Sequence, residues 1–252
     1  MLLFAENITP RLRYIAGFVG EAIAGQPLSI TTDKQVYDQY AGPKINYSNT
    51  TLPGEGIQVQ PAGLLFETGI HHQETEISYW HQQPVFFQGD GDIPFDIFAA
   101  SFYLLSRYEE YLPHTKDLYG RYPHTESLAF KNGFLDKPLV NEWLKRFTGL
   151  LKERFADFVF KEHHFTFLPT YDIDEAFSFR NKGLVRNTGG FLRDLFNGNV
   201  DRCRLRLQLM TGSKPDPYDS FDYLHRLHEQ YKLDPLYFFL LASRIGQYDK
   251  NT

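Results

Sequence analysis

Residues 165–177 read FTFLPTYDIDEAF. The run opens apolar, aromatic and β-branched, and it closes on two carboxylates, Asp172 and Asp174. On an extended strand, side chains two apart point to the same face. Their Cα atoms lie about 6–7 Å apart at the strand rise. A strand running through Asp174 turns both carboxylates toward one site, where one can hold a cation and the other can handle a proton. An Asp-x-Asp pair also caps turns and helix starts, so spacing alone leaves both readings open.

Downstream, residues 178–196 mix basic residues with glycines and then become helical. Arg180, Lys182 and Arg186 can neutralise the carboxylates or bind an anionic substrate; a solvated basic face is the equal alternative. Residues 200–210 read as a further helix, and Asp216-Pro217 as the start of the next. That helix carries His225 and His228, three apart on one face, which read as exposed helix histidines. PLYFFLLA (235–242) is a continuous apolar run of strand length, suited to a strand covered on both faces of a parallel sheet. Strand, helices and strand then make a parallel crossover, the start of a (β/α) barrel or a doubly wound sheet. Only 88 residues run from Phe165 to Thr252, whereas a whole barrel takes about 250. The expectation is either a barrel truncated within this chain or a smaller open α/β unit.

Upstream, Thr9 and Pro10 open a helix as N-cap and first-turn proline, and Gly25 closes it. From Leu28 to about Phe87, short β-type runs such as LSITT and GIQVQ alternate with Gly and Pro, which reads as a small sheet with turns. His71, His72, Glu74 and Glu76 lie there, but no third ligand stands at a metal-site spacing. Gly89–Gly91 reads as a turn without the oxygen series of a calcium loop. Asp96 caps a helix running to about Tyr111. Residues 113–123 form a polar loop, and another helix runs from about Leu135 to Arg154. The domain expectation is a mixed α/β domain of unknown role at 1–160 and a partial (β/α) domain at 161–252.

The 252 residues carry a net charge of −5, with 42% hydrophobic and 23% charged residues, as in a globular protein. That charge gives no sign of a general nucleic-acid or membrane-surface binder. There are 23 Phe, 16 Tyr and 2 Trp; they can stack on sugars, although most suit an aromatic core. Cys203 is the single cysteine, so no intrachain disulfide forms, in keeping with a reducing compartment. The opening MLLFAE is too short for a signal peptide, and no window reaches membrane-span length. A cytoplasmic protein without a membrane span is expected.

TYDID (170–174) resembles the first motif of the polysaccharide deacetylase family, the NodB-homology carbohydrate esterases. That motif ends the first barrel strand as Thr-Phe-Asp-Asp-Gly or, in a variant branch, Thr/Ser-x-Asp-Val-Asp. Thr170, Tyr171, Asp172, Ile173 and Asp174 fall on the variant branch. Residues 216–242 resemble that family's second strand and the helix before it. The resemblance covers about residues 165–252 and leaves the N-terminal domain outside.

It implies a bacterial metal-dependent hydrolase that removes acetyl groups from a carbohydrate. Asp172 would be the general base, and Asp174 a ligand to zinc or another divalent metal, which would acidify the attacking water. Two histidines at His-x-x-x-His spacing complete the metal site in that family. No such pair follows the second strand here, and His225 and His228 have the wrong spacing, so the implied site is incomplete. Two other readings stand beside it. One is a glycan-binding or scaffolding module with a vestigial Asp pair. The other is a different α/β hydrolase using Asp172 and Asp174 as acid and base.

Overall fold

The computed structural model describes residues 1–162, 164–173, 177–178, 183–210, 213–214 and 216–239. The chain forms two compact units, Met1–His163 and His164–Thr252.

The first unit is built on a parallel sheet. Strand β1 (Leu2–Ala5) is fully buried and leads into helix α1 (Pro10–Ala24). The Thr9 hydroxyl accepts the Leu12 N–H at 3.1 Å, satisfying a first-turn donor as an N-cap does. Gly25 ends the helix in the left-handed region at φ 70°, donating its N–H to Glu21 O. Strand β2 (Ser29–Thr31), helix α2 (Lys34–Gln39), β3 (Lys44–Tyr47) and β4 (Ile57–Val59) follow. The order is β2-β1-β3-β4, every pairing parallel, with Leu3 opposite both Ile30 and Ile45.

Alternation along the strands gives the sheet two different faces. Leu3, Ala5, Ile45, Tyr47, Ile57 and Val59 join one core with α1 and with helices α3 (Ile97–Leu105) and α5 (Leu139–Arg154). Leu2 and Phe4 join a smaller cluster with Tyr37 of α2. Helices thus cover both faces, as parallel strands require. A hairpin of β5 (Ser78–Trp80) and β6 (Gln83–Val85) presents the Pro84 carbonyl to buried Trp143, whose indole N–H donates at 3.1 Å. A short helix, α4 (Leu128–Lys131), precedes α5.

The expected helix from Asp96 to Tyr111 is shorter. It ends at Leu105, Arg107 turns to φ 53°, and a 3-10 turn covers Tyr108–Tyr111. Arg107 pairs with Glu110 at this corner. Asp96 itself is fully buried and caps α3. One carboxyl oxygen accepts the Phe98 and Ala99 N–H groups at 3.1 and 2.9 Å. The other accepts the Tyr47 hydroxyl at 2.7 Å and the Ala62 N–H at 2.8 Å, tying sheet, loop and helix together. Burial raises the Asp96 pKa to about 6 despite these four donors.

The second unit contains strand β7 (Thr170–Ile173), helices α6 (Gly183–Phe196), α7 (Val200–Met210) and α8 (Phe221–Tyr231), and strand β8 (Leu236–Phe239). β7 and β8 pair in parallel, so this unit too contains a strand–helix–strand crossover. Together the units make a mixed α/β protein with parallel sheets. No helix among the described residues is long and apolar enough to cross a membrane.

Candidate active site on the strand that carries Asp172

The strand expected from Phe165 is short. β7 begins at Thr170, opposite Leu236, because its described partner β8 starts there. Pro169 contributes only its carbonyl, which accepts the Leu236 N–H at 3.0 Å. Phe165, 92% exposed, lies outside any strand. The two-sided burial expected of β8 is also absent: each of its residues is exposed, because β7 is its one described neighbour.

Within β7 the faces differ. Tyr171 and Ile173 are half-buried, whereas Thr170 and Asp172 are exposed. Tyr171 stacks on Tyr237 of β8, with centroids 5.2 Å apart and planes 20° apart. Its hydroxyl shares a 2.9 Å hydrogen bond with His228 Nε2. His228 is therefore buried on α8, not exposed as the sequence reading expects. His225 is exposed and faces Glu229 at 3.2 Å. The signal was in the helix pattern: His228 continues the stripe of Phe221 and Leu224, the i, i+3, i+7 face that packs inward. The Tyr171 face is thus fixed by packing, and the opposite, open face carries Asp172.

The crossover is anchored just beyond β7. Asp216, expected to start a helix, is instead buried and accepts the Ser178 N–H at 2.8 Å and the Tyr218 N–H at 3.0 Å. Using its carboxylate on this turn delays α8 to Phe221. The Phe177 and Phe221 rings meet edge-on at 5.7 Å. These contacts hold together the two ends of the excursion between β7 and α8.

Asp172 accordingly stands on a strand with one fixed face and one open face, where a carboxylate can accept a proton from a bound water. Asp174, Arg180 and Lys182 lie outside the described residues, as does the Arg186 side chain. Among the described residues, no three His, Cys, Asp or Glu side chains come together as a metal site would require. His71 and His72 are exposed, and His71 Nε2 is 2.9 Å from Thr68 O.

In the first unit the strand order reverses between β1 and β3, the kind of switch point where open α/β sheets bind ligands. Here it is tied to the chain's own backbone. Thr9 donates to Leu65 O, and Arg11 donates to Leu64 O at 2.8 Å.

Residues 1–156 match the model of a family of unknown function, DUF7033. The match covers more than half of the chain, and the chain belongs to that family. It lies within the first unit and does not include β7. No curated protein and no solved structure matches the chain.

Proposed function

We propose that this family member carries, in its second unit, the opening of a polysaccharide-deacetylase-type (β/α) barrel. The protein would be a hydrolase that removes acetyl groups from a carbohydrate amide. The supporting observation is that the TYDI of TYDID forms β7, with Asp172 in its second half, and that its parallel partner β8 is reached through a helical crossover. Catalytic groups of (β/α) barrels sit at the carboxyl ends of the strands. Asp172 is the general base in this reading: it takes a proton from the attacking water as oxygen adds to the acetamide carbonyl. Asp174 has the place of the metal ligand. In this reading Asp172 carries the proton chemistry. A cytoplasmic setting accompanies the reading.

The test is acetate release from N-acetylated chitooligosaccharides by the gene product read to its natural stop codon. Release that disappears in Asp172→Asn supports the hydrolase. Oligosaccharide binding without release, unchanged in Asp172→Asn, would replace it with a glycan-binding module in which the Asp pair is vestigial.

A further inference from the structure

A parallel crossover needs one helix of a dozen or so residues, and α8 supplies it. The other two helices, α6 and α7, pack on each other as an added helical hairpin between β7 and α8. Its composition departs from the rest of the chain. Residues 183–210 hold five arginines and two aspartates, with no lysine, glutamate, tyrosine or tryptophan. The segment is net positive in a chain of net charge −5.

Polar contacts join the two helices of this hairpin. Asp194 of α6 is buried, with Oδ2 2.7 Å from Arg206 Nε of α7, and Arg206 is only 13% exposed. This pairing holds the Asp194 carboxyl below its ordinary range. Cys203 Sγ lies 3.7 Å from Phe191 O, and the Asn199 N–H donates to Asp194 O at 2.9 Å across the turn. Several apolar side chains nevertheless face outward: Leu192, Leu195 and Leu207 are about half exposed, Val200 more so, and Phe196 is 87% exposed, whereas Phe191, Leu205 and Leu209 are half-buried. Phe196 and Val200 flank the exposed Asn-Gly-Asn turn at the tip. Arg193, Arg202 and Arg204 are exposed beside it.

We propose that the α6–α7 hairpin docks on an anionic lipid bilayer surface, with the Phe196–Val200 tip in the headgroup layer and the arginines on lipid phosphates. Outward apolar side chains flanked by cations are the pattern of segments that lie in a membrane interface. A glycan is the poorer occupant because the hairpin lacks Tyr and Trp, the usual sugar-stacking rings. A second copy is poorer because it would set like-charged arginines against each other. Lipid binding is read without any catalytic assay, so its failure and the failure of the hydrolase reading are distinguishable.

The test is sedimentation of the protein with vesicles of phosphatidylcholine alone and of phosphatidylcholine mixed with phosphatidylglycerol. Binding to the anionic vesicles only, weakened by salt, is expected. Arg193→Glu with Arg204→Glu should lower the affinity at least about tenfold, given the contribution of each cation near a charged bilayer. Arg193→Lys with Arg204→Lys should retain it, and Phe196→Ser should weaken it. All of these positions are exposed, and an unchanged circular dichroism melt would show that the variants fold. Equal binding to neutral vesicles would overturn the proposal. So would the absence of vesicle binding, whether it came with self-association that Phe196→Ser abolishes or with binding to an acidic polysaccharide.

Discussion

Tyr171 and His228, 57 positions apart, share a 2.9 Å hydrogen bond that fixes the inner face of the strand carrying Asp172. The bond spans the whole crossover, joining its first strand to its last helix. Replacing His228 by Ala leaves the Tyr171 hydroxyl without this partner and should destabilise the second unit by about 1–3 kcal/mol. Tyr171→Phe should cost less. A double-mutant cycle followed by urea unfolding should return a coupling of about 0.5–1.5 kcal/mol. A coupling near zero would mean that the bond does not hold the strand.

Asp96 gives the first unit a pH dependence of definite sign. Its carboxyl titrates near 3.8 in the unfolded chain and at about 6 when folded. Between those values the native state binds the extra proton, so this group's stabilisation is full below pH 4 and is lost as pH rises through about 6. Relative to Asp96→Asn, the natural chain should lose up to about 3 kcal/mol across that window and then level off. Urea midpoints of both proteins across this pH range measure it. Parallel curves would show that Asp96 does not titrate there.

Two glycines of α1 should respond oppositely to the same substitution. A methyl at Gly17 meets nothing within 4 Å, whereas one at Gly20 would lie 2.4 Å from Leu28 N and 2.5 Å from Gln26 O. Helix propensity alone favours Ala over Gly by about 1 kcal/mol at either position. Gly17→Ala should therefore stabilise by up to that amount. Gly20→Ala should destabilise, because the atoms it meets are backbone and cannot swing aside. Thermal melts of the two variants check the signs.

Trp143 fills the core beneath the β5–β6 hairpin and donates to Pro84 O. Trp143→Phe keeps much of the ring packing against Phe86 and Phe95 but orphans that carbonyl, and should cost about 1–3 kcal/mol. Trp143→Ala should cost about 3–5 kcal/mol. Denaturant unfolding followed by circular dichroism separates the two.

What the sequence disclosed follows the strength of the local signals. α1 was legible at both ends because Thr9, Pro10 and Gly25 are chemical punctuation. The parallel pairing of β7 and β8 was legible from the apolar run after Pro235. β1 and β3 were not: LLFA and KINY are four residues each, and they become strands by burial between two helical layers. The break after α3 was hidden because nothing in SRYEEY marks Arg107 for a left-handed backbone. His228, expected on the surface, is buried because it continues the apolar stripe of Phe221 and Leu224. The net charge of the whole chain likewise concealed the arginine-rich hairpin, since acidic residues elsewhere more than offset it.

The most direct measurement is steady-state acetate release by the natural full-length protein and by its Asp172→Asn variant. Asp172 is exposed on β7, so the exchange should change stability by less than about 0.5 kcal/mol. A general base acts in the transition state, so kcat should fall about a hundredfold or more while KM holds. An unchanged kcat in a folded Asp172→Asn protein would contradict the assignment of the base.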